Sequence, residues 1–244
     1  MIVVANKRKK MDTLEREYPG CVVIDVTSNS NDGDFVKFSP FYPHGGIPVP
    51  GMSRTAACVE GIWQGLKTFE SGEGISMETL SNRTMKNIKR TVRTHGRCKG
   101  HLYGDRLLEY IEARKLIYLP SYQWVLENRL QDLCRKLKTM SATRTVVLLD
   151  YETNSDVEDW TKPLSHASLV KAYVDAMPDV QPSVSTEPAP EPAVDLNAGD
   201  RVRHAKFGEG TVSSLDATAG KIMVDFDMAG AKTLVTRLAK LEKI

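Results

Sequence analysis

The sequence of 244 residues lacks an apolar run of the roughly 18 residues that a membrane-spanning helix requires. Its first short apolar stretch precedes the basic run at residues 7–10, which is the reverse of the order in a secretory signal peptide. Cysteine is also scarce, and the four present form no CxxC pair and no Cys/His cluster at zinc-ligand spacing. These absences predict a cytoplasmic protein with reduced core thiols, no membrane partner, and neither a metal nor a bound cofactor.

A local scarcity of basic and aromatic residues divides the chain. Residues 177–198 hold five prolines and four acidic residues, but no basic and no aromatic residue. Such a segment cannot bury enough apolar surface to offset the loss of chain entropy. We therefore expect a flexible linker there, between an N-terminal domain of residues 1–176 and a C-terminal domain of residues 199–244. The overall composition, 41% hydrophobic and 26% charged, is that of a globular protein.

The N-terminal segment predicts an α+β domain that is rich in helices. Short β-branched runs predict strands at residues 2–5, 21–26 and 145–150. Apolar residues spaced by three and four predict helices from Ser53 to Phe69 and at residues 105–114, 121–138 and 164–176. Four prolines and three glycines in residues 39–51 predict an ordered loop without a long regular element.

Three polar residues, Glu60, Gln64 and Lys67, form a stripe on the first predicted helix. At about 100° per residue they fall within about 60° of one another, beside an apolar face. The stripe fits either the solvated face of an amphipathic helix or a site where a carboxylate, an amide and an ammonium act together. Gly61 and Gly65 flank the stripe, and glycine within a helix often marks close approach by a backbone or a ligand.

Two motifs resemble the NADAR (YbiA-like) family. Residues 38–41 (FSPF) are similar to its FSNF-type loop, and residues 60–67 (EGIWQGLK) are similar to its E-H-Y-x-Q-A-x-K helix. Pro40 replaces the loop asparagine, and Gly61 replaces the helix histidine. The resemblance covers residues 30–176 and implies a domain that cleaves N-glycosidic bonds of ADP-ribosylated guanine or of riboflavin intermediates.

The resemblance also implies roles for individual residues. Asp156 and Trp160 are similar to the family's D-x-x-W element with one residue inserted, and His166 lies where the family usually has Asn-Arg. Catalytic roles are implied for Glu60, Lys67 and Asp156. Substrate-binding roles are implied for Phe38, Ser39, Phe41, Gln64, Trp160 and His166. A neutral core histidine is the structural alternative for His166, and simple exposure is the alternative for Asp156.

The chemistry of N-glycoside cleavage suits this set of side chains. The reaction passes through an oxocarbenium-like state, which a carboxylate such as Glu60 can stabilise directly or by activating water. Lys67 has two roles open to it: neutralising a phosphate, which an ammonium near carboxylates favours, or attacking an opened sugar as a Schiff-base amine.

Two further positions are candidates for substrate binding. Arg97 lies in the basic run at residues 93–101, which two glycines interrupt, and such loops either bind phosphate or form solvated turns. His44 lies on the constrained loop of residues 39–51, where it can transfer a proton or hydrogen bond to the loop backbone.

The last 46 residues predict a small β-barrel. Short β-prone runs at residues 201–204, 210–215, 221–226 and 232–235 alternate with turns at Gly208, Gly220 and Gly230. The opening at residues 198–212 resembles, together with the rest of the module, the tudor-like (SH3-like) domain that ends UvrD/PcrA-type helicases. The resemblance implies docking on RNA polymerase, through Arg203, His204, Lys206 and Phe207. Nucleic acid is the competing partner.

Two hypotheses from different classes follow. The first is an N-glycosidase that acts on an ADP-ribosyl or phosphoribosyl conjugate, either a nucleotide-like small molecule or ADP-ribosylated nucleic acid, and is tethered to the transcription machinery. The second is a non-catalytic ADP-ribose or nucleotide-binding adaptor that modulates transcription. Retention of Glu60 and Lys67 favours the enzyme, whereas loss of the loop asparagine and the helix histidine favours the adaptor.

Overall fold

A computed structural model describes residues 1–178, 196–204, 207–216, 221–235 and 241–243. The chain divides into two compact units, Met1–Gln181 and Pro182–Ile244, and this division falls within the predicted linker. Residues 179–195 of that linker, and Lys206 of the predicted docking set, lie outside the described residues. Within the described part, no helix has the length and apolar character needed to cross a bilayer.

The first unit has the predicted mixture of helices and strands. Its strands are β1 (Ile2–Asn6), β2 (Val22–Asp25), β3 (Ile47–Pro48), β4 (Thr55–Ala56), β5 (Lys67–Phe69), β6 (Cys98–Tyr103), β7 (Arg106–Leu108) and β8 (Val146–Asp150). Its α-helices are α1 (Met11–Glu17), α2 (Val59–Gly65), α3 (Met77–Ser81), α4 (Val92–His95), α5 (Tyr110–Ala113), α6 (Leu119–Arg129), α7 (Gln131–Thr143) and α8 (His166–Ala176). A 3-10 helix spans Gly33–Phe38, and a π-helical turn spans Arg114–Tyr118.

A parallel three-stranded sheet forms the centre of this unit, in the order β1-β8-β2. All five residues of β8 are buried, as expected for the middle strand of a parallel sheet covered on both faces. The three strands predicted here and the helix predicted at residues 164–176 are confirmed, with Ser165 capping α8 by accepting a hydrogen bond from the Ser168 amide. Because the strands are parallel, their carboxyl ends lie along one edge.

The helix predicted from Ser53 to Phe69 is wrong at both ends. It begins only after Cys58, whose thiol accepts the Gly61 amide, and it ends at Gly65. The residues before it pair as β4, and those after it pair as β5 with β6. A Cβ on Gly61 would lie 2.8 Å from the Thr79 carbonyl oxygen. The helical glycines therefore serve close packing against α3 and not the approach of a ligand.

Two further helix predictions differ from the structure. Residues 106–108 pair as β7 with β6, so the helix predicted from 105 starts at Tyr110. The helix predicted over 121–138 is two helices that meet at the buried Leu130. Pro120 has no amide hydrogen to donate to the preceding turn, which accounts for the π-helical turn immediately before α6. The basic run at residues 93–101 is α4 and the start of β6 instead of an open loop.

The second unit is an antiparallel sheet in the order β12-β11-β10-β9-β13. Its strands are β9 (Arg201–His204), β10 (Gly208–Asp216), β11 (Lys221–Phe226), β12 (Gly230–Val235) and β13 (Glu242–Lys243). The first four confirm the predicted strands, and alternate residues point into a small core, formed by Val202, Val212, Ile222, Val224, Phe226 and Leu241. Among the described residues, no pairing joins β12 to β13, so the sheet is open there.

Candidate active site

A cavity of about 480 Å³ opens where the parallel strands of the first unit end. Asp150 at the end of β8 and Thr27 just after β2 form part of its wall. The loop at residues 39–41, helix α2, residues 89–92 and the π-helical turn supply most of the remainder. The carboxyl edge of a parallel sheet is a common place for ligands, because the strand ends bring loops from distant parts of the chain together.

The polar stripe predicted from the sequence is a hydrogen-bonded chain in this cavity. The Gln64 amide nitrogen donates to Glu60 Oε1 at 2.8 Å, and Lys67 Nζ donates to Gln64 Oε1 at 2.8 Å. The Arg90 backbone amide also donates to Gln64 Oε1, at 3.1 Å. Two donors on this oxygen determine which way the Gln64 amide faces, so its nitrogen points at the Glu60 carboxylate. All three stripe residues line the cavity, although Lys67 lies on β5 and not on the helix.

Burial changes the proton affinity of both ends of this chain. Glu60 is only 9% exposed, and desolvation raises the pKa of its carboxyl above the ordinary value, against the opposing effects of Gln64 and Lys67. Desolvation also lowers the pKa of the half-buried Lys67, against opposing interactions with Cys98 and Glu60. Both shifts move the pKa values toward neutral pH, where general acid–base catalysis is most effective.

The loop at residues 38–41 contributes two of its three predicted side chains. Ser39 and Phe41 line the cavity, and the Glu60 amide donates to the Pro40 carbonyl at 2.8 Å, which joins the loop to α2. Phe38 lies in the hydrophobic core, outside the cavity lining, and its carbonyl accepts a hydrogen bond from the Tyr122 hydroxyl. Phe38 therefore anchors the loop to the hydrophobic core.

Asp156 and Trp160 are not part of the cavity wall. Asp156 is exposed and its carboxylate accepts the Glu158 amide, while Trp160 is 71% exposed. Both lie on a loop whose carbonyls turn inward to the buried Arg114 guanidinium, which binds those of Asp156, Val157, Asp159 and Lys162. Because the backbone faces inward, these side chains face outward. The resemblance implied that Asp156 acts together with Glu60, but the structure does not bring the two residues together.

Arg97 and His44 also lie outside the cavity lining. The Arg97 side chain is 81% exposed and lies 3.7 Å from Glu70. His44 Nε2 lies 2.9 Å from the Lys37 carbonyl, and burial lowers the pKa of its imidazole. The hydrogen-bonded interpretation of His44 matches this geometry, and neither residue faces the stripe.

His166 lines the cavity in a paired state that the sequence did not indicate. Its Nδ1 lies 3.0 Å from the Asp150 carboxylate and its Nε2 lies 2.9 Å from the Val26 carbonyl. Both partners are acceptors, so both ring nitrogens act as donors and the ring is an imidazolium. The Asp150 pairing raises the pKa of His166 against desolvation and lowers that of Asp150. The His166 imidazolium is therefore neutralised by the Asp150 carboxylate and has no free ring nitrogen to act as a base.

Two cavity residues, Asp150 and Arg90, were missed by the sequence analysis. The Asp150 carboxylate accepts a hydrogen bond from the Ser165 hydroxyl at 2.8 Å and also pairs with His166. Its place at the end of a buried apolar strand is the only sequence feature that marks it. Arg90 is buried and donates to the Lys67 carbonyl at 2.8 Å, in a segment with no periodicity to mark it. Trp63 both packs against the core and lines the cavity, with the His101 ring 3.9 Å away. Burial lowers the pKa of His101 to about 3.

The cysteines and the acidic side chains do not assemble a metal site in the described part of the chain, where no three His, Cys, Asp or Glu residues cluster. All four cysteines are free thiols, as predicted. Cys58 and Cys134 are buried, whereas Cys21 and Cys98 are half-buried, so the expectation of core thiols is correct for two of them.

The residues predicted to dock a partner in the second unit already have contacts within it. Arg203 donates to Glu209 at 2.6 Å. His204 stacks on Phe207 with ring centroids 4.7 Å apart, and Phe207 is half-buried against Phe226. These contacts place the three side chains near the end of β9 and the start of β10.

Two comparisons with known proteins give matches. The model of a family of unknown function, DUF6939, matches residues 6–170. DNA helicase II of Salmonella typhimurium is 48% identical over 48 residues, which is 19% of this chain and 7% of the helicase. The chain therefore spans a small fraction of the length of that curated relative.

Proposed function

This chain belongs to that family of unknown function, and we propose that its first unit is an N-glycosidase acting on an ADP-ribosyl or phosphoribosyl conjugate. The observation that carries the proposal is the Glu60-Gln64-Lys67 chain in the cavity. A buried carboxylate with a raised pKa, held by an amide and set beside cations, is suited to a reaction that develops positive charge and moves a proton.

The cavity residues divide the reaction between them. Glu60 takes a proton from water as the water oxygen bonds to the anomeric carbon, and the carbon–nitrogen bond breaks with its electron pair on the leaving base. The proton then passes to that nitrogen, which balances hydrolysis. The Gln64 amide keeps the Glu60 carboxylate oriented, and Trp63 offers a ring face for a flat base.

In this proposal Lys67 neutralises phosphate charge. Its Nζ donates to Gln64 Oε1 in the cavity, whereas both ring nitrogens of His166 are already bound to Asp150 and to the Val26 carbonyl. Reduction with borohydride during turnover tests the alternative role of Lys67: a covalent adduct at Lys67 would identify it as a Schiff-base nucleophile, and its absence during active turnover supports charge neutralisation.

Glu60→Gln tests the enzyme directly, because glutamine preserves shape and still accepts the Gln64 hydrogen bond. We expect release of free base from ADP-ribosylated guanosine, or from a phosphoribosyl intermediate, to fall by about 10³-fold. Glu70→Gln, at an exposed position, is the matched control and should retain full activity. Turnover by Glu60→Gln at the wild-type rate would remove Glu60 from the mechanism. Thermal stabilisation by ADP-ribose without turnover of any conjugate would favour the non-catalytic adaptor.

We further propose that the second unit is a tudor-like barrel that docks on RNA polymerase. Support comes from its short antiparallel strands, from the sequence resemblance of residues 198–244, and from the similarity to DNA helicase II. The full chain should retain purified core RNA polymerase on a column, and a chain ending at residue 178 should not. Retention of nucleic acid without polymerase by the full chain would overturn this assignment.

A further inference from the structure

Two stretches of the first unit contain no acidic residue. Residues 35–59 carry two Lys or Arg residues and residues 79–104 carry seven, with no Asp or Glu in either. The whole chain has 31 acidic residues among 244, about one in eight, and a net charge of only +2. Positive charge is therefore concentrated in these two stretches, although the total charge does not reveal it.

Both stretches meet at the cavity. Ser39 and Phe41 come from the first, while Lys89 and Val92 come from the second. Lys89 Nζ lies 5.9 Å from the centre of the Phe41 ring. Farther along the same loop, the Arg83 guanidinium approaches Gly45, lying 3.4 Å from where a Cβ on that glycine would be. Two cations of the second stretch, Lys89 and Arg83, therefore lie against this loop.

Some of these cations are neutralised within the fold. Arg90 pairs with Glu73 at 3.3 Å, and Arg97 lies 3.7 Å from Glu70. Four exposed cations within residues 83–93 have no acidic partner among the described residues, and we call them the basic rim: Arg83, Lys86, Lys89 and Arg93. Lys89 also borders a second, polar cavity of about 430 Å³, so this rim residue lies between two recesses.

We propose that the basic rim binds the phosphate backbone of a single-stranded nucleic acid, one unstacked base of which enters the cavity. Four unpaired cations on an eleven-residue segment match a chain of repeated negative charges better than they match one small anion. Aromatic side chains, including Phe41 and Trp63, line the cavity and offer faces on which a base can stack.

The depth of the cavity favours a single strand over a duplex. Glu60 is only 9% exposed, and a base must leave its stack to reach a carboxylate so deeply placed. In duplex DNA the base pair must also be broken before the base can leave, whereas a single strand has no base pair to break. This inference rests on the proposed function, because it takes the cavity to be the glycosidase site. It adds that the ADP-ribosyl conjugate is part of a nucleic-acid strand.

The test uses the full chain and a fluorescein-labelled, unmodified 12-nucleotide single strand, with binding followed by anisotropy between 50 and 300 mM salt. Replacing Arg83, Lys89 and Arg93 by Gln should weaken binding at least tenfold at 100 mM salt. The slope of log K against log salt should fall by about 2, at about 0.7 per lost phosphate contact. The matched control replaces three exposed cations outside both stretches: Lys10, Arg16 and Arg144.

Each outcome decides the proposal. Equal binding by the rim variant and wild type would overturn it, as would tighter binding of the matching 12-bp duplex or of a poly-glutamate peptide. Loss of binding in the control variant to the same degree would show a diffuse charge effect and also overturn it. Because the strand carries no ADP-ribosyl linkage to cleave, its binding is measured without turnover, so a failure of the glycosidase hypothesis is read separately from a failure at the rim.

Discussion

In the first unit, several charged side chains are buried around one cavity: Glu60, Arg90, Arg114, Asp150 and His166. In the described part of the second unit, the charged side chains pair at the surface, as Arg201 does with Asp227 at 2.7 Å. Buried charges cost stability unless their partners are well placed, whereas exposed pairs contribute little. The polar cavity of the first unit therefore lowers its stability, as a binding or catalytic site often does, whereas the core of the described part of the second unit is formed by alternating apolar residues.

Replacement of Arg114 should have the largest effect on stability. A negligible effect would contradict the contrast between buried and exposed charge. Arg114→Met removes the guanidinium that binds four carbonyls of one loop, and we expect a loss of about 3 kcal/mol in the free energy of unfolding. All three tryptophans lie in the first unit, so tryptophan fluorescence in urea reports this unit by itself.

Arg97→Met is the matched control for Arg114→Met, because it removes the same charge from an exposed side chain. Its urea midpoint should stay at the wild-type value. Equal losses from the two variants would show that burial of Arg114 adds nothing, and would contradict the contrast drawn between buried and exposed charge.

The stability of the second unit should depend on close packing, whereas that of the first depends on buried charge. A Cβ on Gly210 would lie 2.6 Å from the Asp225 carbonyl oxygen and 2.8 Å from the Phe226 Cα. Gly210→Ala should therefore cost about 2 kcal/mol in this unit. Amide hydrogen exchange should accelerate in β9 to β12 and stay unchanged in β8. Ser213→Ala, at an exposed position of the same strand, serves as the control, and a matching acceleration there would refute the packing explanation.

The smallest effect is a pH dependence with opposite signs for two buried histidines. The pKa of His166 is raised in the fold, so its contribution to stability is complete below the unfolded value of 6.5 and is lost as pH rises through the higher folded pKa. The pKa of His101 falls to about 3, so its contribution is complete above pH 6.5 and is lost as pH falls toward 3.

Urea titrations at several pH values separate the two histidines. The stability lost in His166→Gln should be greatest below pH 6.5 and should shrink at higher pH. His101→Gln should instead flatten the acid side of the profile. Since Glu60 and His44 also titrate differently in the fold, the comparison is between each variant and wild type at the same pH. A His166→Gln loss that is independent of pH would show that the ring is not an imidazolium.

The two units also differ in how far the sequence alone predicted them. In the second unit, neighbouring strands pair in sequence order from β9 to β12, so alternation and glycine turns located all four. In the first, apolar spacing located the parallel strands and α8 but misplaced the helix around Glu60. Local pattern could not show that residues 67–69 pair with a strand thirty residues later.

The division into two units, the three strands of the parallel sheet, the first four strands of the second unit and the residues of the Glu60-Gln64-Lys67 chain followed from sequence, because each depends on residues close together along the chain. Tertiary structure alone decided that Asp150 meets His166, that Asp156 and Trp160 face away, and that Lys89 reaches Phe41. Those contacts join residues 16 to 48 positions apart, or depend on a loop that wraps around a buried guanidinium, and no short-range pattern encodes either. The physical reason is that burial and charge pairing are set by which segments pack together, and packing is a property of the whole fold.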